Sequence, residues 1–308
     1  MIDIALLGTG GMMPLPNRFL TSLLVRKKGK MMLIDCGEGT QVTMKMLGWG
    51  FKNIELICFT HFHADHIAGL PGLLLTIGNA DRTEPLTLAG PKGLETVVEG
   101  LRLIAPELPF DIKYIELENE NEEFEVGGFC IKALKADHRI TCYGYSLEVP
   151  RAGKFLPEKA EALGIPKPCW SLLQKGETVE INGVDYTWDM VLSEPRKGIK
   201  LCYCTDTRPT PAMPDFFRGA DLLIYEGIYG ENEKLEKAEL HKHSLYREAA
   251  EIAKAAEVNA LWLTHFSPAL TEPEEFIENA RSIFPNTVIG EDRMTKTIKF
   301  EDRNLWKH

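Results

Sequence analysis

What this 308-residue chain lacks narrows its function before any motif is considered. No apolar run approaches the roughly 20 residues a membrane-spanning helix needs, so no membrane contact is expected. No basic segment leads into the first strand-like run, Ile2 to Leu7, so no signal peptide is expected. The seven Cys are odd in number, scattered, and contain no Cys-x-x-Cys pair. Most fall in apolar strand-like runs, which suits reduced, buried thiols in a cytoplasmic protein. Basic charge is also short: Lys and Arg total 35 against 45 Asp and Glu, a net charge of −10. A general nucleic-acid-binding coat is thereby excluded, and any RNA or DNA contact must come from a local basic patch. The turn Gly8-Thr9-Gly10-Gly11 is followed by no Gly-Lys-Ser/Thr and lacks the third glycine of a dinucleotide fingerprint, so it is neither kind of phosphate-binding loop. Internal repeats and low-complexity tracts are missing as well.

What is present is an ordinary globular composition, 44% hydrophobic and 26% charged, ample for a sizeable core. Strand-like runs alternate with helical ones, which predicts an α/β architecture. Strands are expected over Ile2 to Leu7, Thr21 to Arg26, Met31 to Asp35, Ile54 to Phe59, Leu86 to Gly90, Phe129 to Leu134, Cys142 to Val149, Leu201 to Thr205, Asp221 to Tyr225 and Leu261 to Thr264. Helices are expected from Gln41 to Leu47 with Thr40 as cap, Leu70 to Ile77, Gly93 to Ile104, Ser244 (the cap) to Ala256, and Pro273 to Ile283. The acidic run Glu116 to Glu125 reads as a solvated loop and hairpin edge. Residues 150–199 differ, being punctuated by Pro150, Pro157, Pro166, Pro168 and Pro195, and read as an excursion from the main body.

The chemistry centres on Thr60-His61-Phe62-His63-Ala64-Asp65-His66. The chain has only 8 His, and three of them sit here beside a carboxylate. Each such group needs a partner when buried, and a divalent ion supplies one. Three further candidates fall at strand ends: His138, Asp206 and His265. Taken alone each has a plainer reading: a half-buried hydrogen-bonded histidine, a turn carboxylate and a core histidine. Their shared position at strand C-terminal ends, where α/β sites form, groups them with the loop. Five His and two Asp are too many for one tetrahedral zinc and fit two ions with a bridging carboxylate. Zinc lowers the pKa of bound water to about 7, so a hydroxide is available for phosphoryl displacement near neutral pH. His243, ahead of a helix, is a candidate general acid or a surface residue.

These residues carry a resemblance. His61 to Leu74, with its Gly69-Leu70-Pro71-Gly72-Leu73-Leu74 tail, resembles the histidine motif of the metallo-β-lactamase superfamily and, within it, the short-form ribonuclease Z family. Leu33-Ile34-Asp35-Cys36-Gly37-Glu38-Gly39-Thr40-Gln41, Asp206-Thr207-Arg208-Pro209 and Leu263-Thr264-His265-Phe266-Ser267 are similar to further hallmarks of that family. The likeness spans nearly the whole chain and implies a four-layer αβ/βα sandwich over residues 1–308, with 150–199 an inserted arm that grips substrate. It implies two zinc ions per subunit, one held by His61, His63 and His138, the other by Asp65, His66 and His265, with Asp206 bridging. Asp65 would also orient or deprotonate the attacking water, His243 would protonate the leaving 3′ oxygen, and Glu226 would belong to the catalytic set. Arg18 and Arg208 would contact substrate. The implied activity is removal of the 3′ trailer from precursor tRNA, leaving a tRNA 3′-hydroxyl, by a homodimer in which one subunit's arm serves the other's site. Tyr225-Glu226-Gly227-Ile228 keeps only the Glu of the family's His-Glu-Ala-Thr motif, and Pro14-Leu15-Pro16-Asn17-Arg18-Phe19 keeps the Arg of its N-terminal loop. Alternatives are a related metallo-phosphodiesterase acting on a small substrate such as a cyclic nucleotide, a non-catalytic RNA-binding protein, and a diiron redox enzyme. The full set of seven ligands argues against a non-catalytic protein, and five imidazoles with two carboxylates suit zinc better than a redox centre.

Overall fold

The apolar runs become strands buried on both faces, and this decides the architecture. The computed structural model describes residues 1–301. The last residues of the expected 1–308 span, 302–308, lie outside it. The chain begins with β1 (Ile2–Gly8), β2 (Ser22–Lys27), β3 (Lys30–Ile34), β4 (Ile54–Cys58), β5 (Leu86–Pro91) and β6 (Ile112–Leu117), interleaved with α1 (Thr40–Leu47), α2 (Ala64–Ile67), α3 (Leu70–Gly78) and α4 (Leu94–Leu101). A second set follows: β7 (Asn121–Val126), β8 (Phe129–Ala136) and β9 (Cys142–Arg151). After an excursion carrying α5 (Pro157–Ala162), α6 (Lys167–Gln174), β10 (Val179–Ile181) and β11 (Val184–Tyr186), the set resumes with β12 (Arg196–Cys204), β13 (Leu222–Glu226), β14 (Leu261–Thr264) and β15 (Thr287–Ile289). Its helices are α7 (Met213–Phe217), α8 (Leu235–His241), α9 (Tyr246–Ala255) and α10 (Glu278–Arg281), and β16 (Thr295–Ile298) closes the order.

Two seven-stranded sheets result, ordered β16-β1-β2-β3-β4-β5-β6 and β15-β14-β13-β12-β9-β8-β7. In the first, β3 to β6 run parallel, whereas β16, β1 and β2 pair antiparallel. In the second, β12 to β15 are parallel and β7 to β9 antiparallel. One face of the first sheet (Leu7, Leu33, Ile57, Leu88) packs with Met44, Leu73, Ile77 and Val98 of its helices. One face of the second (Cys202, Leu223, Leu263) packs with Phe217, Tyr246, Ala249 and Ala253 of α7 and α9. The opposite faces, Ile4, Leu6, Val25 and Leu56 on one sheet and Tyr145, Leu147, Ile224 and Trp262 on the other, are buried too. Those faces cover one another, as the Tyr145 hydroxyl donating to the Phe59 carbonyl at 2.6 Å shows. The order of layers is helix, sheet, sheet, helix, the metallo-β-lactamase arrangement.

Residues 149–199, with Phe300 and Glu301, form a separate compact unit. Its own core is small: Ala160, Ile165, Leu173, Val179 and Val191, with Phe155 and Trp170 packed against it. The Trp170 indole N–H donates to the Ile165 carbonyl at 2.9 Å, which satisfies its one polar group.

Helix starts differ from expectation. Thr40 is the first residue of α1 rather than its cap: Gly39, at φ 91°, holds the cap position, and the Thr40 hydroxyl donates to the Gly37 carbonyl. Leu245, not Ser244, precedes α9. Glu248 reaches back to the Leu245 N–H at 2.9 Å, while the Ser244 hydroxyl bonds the Thr207 carbonyl at 2.6 Å. A carbonyl three residues upstream has taken the Thr40 hydroxyl and a tertiary partner that of Ser244, so neither caps its helix. The helices expected over 93–104 and 273–283 each break into a short α-helix and a 3-10 turn.

Candidate metal centre

Each expected metal residue sits past the C-terminal end of a strand. The His61–His66 loop follows β4 and runs into α2, whose buried residues include Asp65 and His66. His138 follows β8, Asp206 follows β12, Glu226 ends β13 and His265 follows β14. The parallel register Cys204↔Tyr225 and Glu226↔Thr264 brings three of these ends level. Asp35, Asp206 and His265 all take left-handed backbone, at φ 61°, 54° and 57°. Such conformations are uncommon outside glycine, although Asp and His adopt them more readily than most, and they cluster at functional sites. The Gly10-Gly11 turn has its reason here. A Cβ on Gly11 would stand 2.8 Å from the His265 ring, so only glycine lets this chain pass behind that imidazole.

The seven expected metal residues converge in two groups. His61 Nε2 lies 2.9 Å from His63 Nδ1, which lies 3.4 Å from His138 Nε2. His66 Nε2 and His265 Nε2 are 3.2 Å apart, with Asp65 Oδ2 at 3.7 and 3.4 Å from them. Asp206 stands between the groups. Its Oδ1 is 3.9 Å from both His61 Nε2 and His138 Nε2, and its Oδ2 is 3.1 Å from His66 Nε2 and 3.3 Å from His265 Nε2. Within each group the ligand-type atoms lie within 4.8 Å of one another, close enough to share an ion.

The surrounding fold orients these rings. His66 Nδ1 donates to Asp35 Oδ2 at 2.8 Å, and Asp35 is itself fixed by the Thr60 N–H and hydroxyl. His61 Nδ1 meets the Thr60 hydroxyl at 3.0 Å, and His138 Nδ1 donates to the Lys242 carbonyl at 3.2 Å. With Nδ1 engaged, Nε2 is left to face the centre, as is usual for metal-binding histidines. Burial pushes His61 well below the ordinary imidazole value and lowers His63 and His138, which favours the neutral form a ligand needs. Burial opposes ionisation of Asp206, yet His265, His66 and His61 hold it well below the usual carboxylate range. Asp206 Oδ2 is buried and makes no hydrogen bond. A buried carboxylate oxygen without a hydrogen bond, amid converging imidazole nitrogens, fits a divalent cation.

His243 stands beside this set. Its Nδ1 donates to Glu226 Oε2 at 3.0 Å and lies 3.8 Å from Asp206 Oδ1. Burial opposes its protonation, but the Glu226, Asp206 and Asp65 carboxylates lift it to about 9. Glu226 is fully buried, and its Oε1 accepts the Thr207 N–H. A pocket of about 380 Å³ opens over these groups, walled by Ile228 and Tyr229 and edged by Met12, Arg139, Lys237 and His241. No residue of the acidic run Glu116 to Glu125 lines it.

The two expected substrate contacts lie elsewhere. Arg18 donates to the Leu270 and Thr271 carbonyls and lines a different cavity. Arg208 forms a two-pronged ion pair with Glu248 and donates to the His243 carbonyl at 2.6 Å. Neither lines the pocket over the metal-type residues. Sequence reasoning assigned no role to Asp35, Arg139, Lys237 or His241. Asp35 was findable, because it follows a buried strand as other site residues do; Arg139, in the loop after β8, and Lys237 and His241, on the short helix α8, carry no such signal.

Comparison with known proteins agrees with this geometry. The family model described as "Anti-Pycsar protein Apyc1" matches residues 2–155, a span with His61, His63, Asp65, His66 and His138 but not Asp206, Glu226, His243 or His265. Matches over nearly the full length reach all of them. The chain is 54% identical to a ribonuclease Z of Lachnospira eligens, over 98% of this chain and 99% of that one. It is 53% identical to a ribonuclease Z of Clostridium acetobutylicum, over 98% and 100%. Among solved structures, human tRNase Z, short form, superposes with a TM-score of 0.69 at 26% identity, over 97% of this chain and 100% of that one. The metallo-β-lactamase fold protein YhfI of Bacillus subtilis gives 0.69 at 19% identity, over 96% and 100%, a likeness of fold.

Proposed function

The chain belongs to the ribonuclease Z family, and from that premise we propose that it is a metal-dependent endoribonuclease that removes the 3′ trailer from precursor tRNA. The observation that carries this reading is the convergence of six donors around a seventh, Asp206, one of whose buried oxygens makes no hydrogen bond. In this reading His61, His63 and His138 would hold one zinc ion and Asp65, His66 and His265 a second, with Asp206 available to both. When bound, zinc polarises a phosphoryl oxygen and lowers the pKa of water to about 7.

The protein's own groups do the rest. Asp65, whose Oδ2 is held by the Met12 N–H at 2.6 Å, orients the attacking water and accepts its proton. His243 delivers a proton to the leaving 3′ oxygen from Nε2, because Glu226 occupies its Nδ1. Glu226 also fixes the tautomer and the angle of that ring, as an orienting carboxylate does in other acid–base pairs. The products are a tRNA 3′-hydroxyl and a trailer 5′-phosphate. The unit of residues 149–199 acts as the substrate-gripping arm, and the working form is a cytoplasmic homodimer in which one subunit's arm serves its partner's site.

The test is cleavage of a 3′-extended precursor tRNA beside bis-p-nitrophenyl phosphate and a panel of cyclic nucleotides. Cleavage after the discriminator base, lost in Asp65→Ala, supports the ribonuclease reading. Hydrolysis of small diesters alone would sink it in favour of a small-substrate phosphodiesterase.

A further inference from the structure

The pocket over the donor set has a floor and an edge of different character. The floor is the His and Asp groups already described. The edge carries Arg139 and Lys237, both exposed. Nearby cations are neutralised: Lys242 pairs with Asp137 and Lys234 with Glu231. Among the described residues, Arg139 and Lys237 form no ion pair. Arg139 is nevertheless fixed in place. Its Nη2 donates to the Leu240 carbonyl at 3.0 Å and to His241 Nδ1 at 2.8 Å, both at the C-terminal end of α8. Among the described residues, its Nε and Nη1 make no hydrogen bond. Lys237 lies one turn earlier on the same helix, its Nζ 5.4 Å from the centroid of Tyr229, which walls the pocket.

Two unneutralised cations at one opening, on a chain of net charge −10, concentrate positive potential where the overall charge would repel a polyanion. We propose that Arg139 and Lys237 bind the backbone phosphates flanking the scissile one in an RNA strand. This rests on the site being a phosphodiesterase centre. A small diester offers only the one phosphate that is cleaved. A polynucleotide brings the neighbouring phosphates as well, and each is stabilised by a cation at the pocket edge. The planar guanidinium suits phosphate oxygens, the lysine supplies a mobile point charge, and His241, with Nδ1 accepting from Arg139, presents Nε2–H as a neutral donor.

The experiment uses the full chain and two readouts. A fluorescein-labelled single-stranded RNA oligonucleotide is titrated at several salt concentrations into Asp65→Ala protein, with and without Arg139→Ala or Lys237→Ala. Precursor tRNA and bis-p-nitrophenyl phosphate hydrolysis are measured for the same substitutions in the otherwise unaltered chain. Each substitution should weaken oligonucleotide binding about tenfold and flatten the log–log salt dependence by about 0.7 per cation removed. The KM for precursor tRNA should rise, small-diester hydrolysis should stay within about twofold, and Arg139→Lys should recover part of the binding. Unchanged binding and salt slope would overturn the proposal. So would a parallel loss on tRNA and small diester, since the residues would then act through the donor set or the fold. If the unaltered chain hydrolyses the small diester but leaves precursor tRNA intact, the ribonuclease reading fails, and the titration still decides whether these cations bind RNA.

Discussion

The two sheets contribute to the site in opposite ways. The first delivers His61, His63, Asp65 and His66 from one loop after β4, so their mutual spacing is set by a few backbone angles. The second delivers His138, Asp206, Glu226 and His265 from four separate strands, so their spacing is set by sheet order and register. The loop supplies donors to both groups, but Asp206, from the second sheet, stands between them. A local motif can present ligands; gathering them around one carboxylate takes the packed pair of sheets.

The sharpest way to break this comparison is to remove the shared carboxylate. Asp206→Ala should reduce hydrolysis of precursor tRNA and of bis-p-nitrophenyl phosphate alike by about three orders of magnitude or more, with bound metal lost by elemental analysis. His243→Ala separates metal chemistry from proton delivery. Precursor tRNA cleavage should fall about 10²- to 10⁴-fold, while bis-p-nitrophenyl phosphate, whose leaving group departs unprotonated, should lose much less. Equal losses on the two substrates would remove the general-acid role. Asp35→Asn probes a buried carboxylate that orients a loop histidine through Nδ1. It should weaken metal affinity about 10- to 100-fold in a chelator competition, with the melting temperature of metal-loaded protein less affected. The smallest expected effect lies at the Arg208–Glu248 pair, which ties the end of β12 to the start of α9. Glu248→Ala should cost about 1–3 kcal/mol in urea unfolding, because it strips a mostly buried guanidinium of its partner and α9 of its N-terminal acceptor.

Legibility followed the same divide. The strands that position the site were readable because they are short apolar runs ending in polar residues, and the helix expected over Leu70 to Ile77 forms over Leu70–Gly78. The helix caps were not. Thr40 and Ser244 carry the hydroxyls that local rules favour, but Gly37 and Thr207 hold them instead. The resemblance alone offered Arg208 as a substrate contact. Glu248, 40 residues away, neutralises it, and no local pattern announces that pairing.

The sequence by itself determined the donor types, their place at strand ends and the α/β alternation, because residue chemistry and hydrophobic period are local properties of the chain. Only the tertiary structure decided which histidines face each oxygen of Asp206, that Asp35 orients His66, and which arginine is held at the pocket edge by α8. Those are distances between residues far apart in the chain, fixed by the packing of two sheets whose register and burial no single stretch encodes.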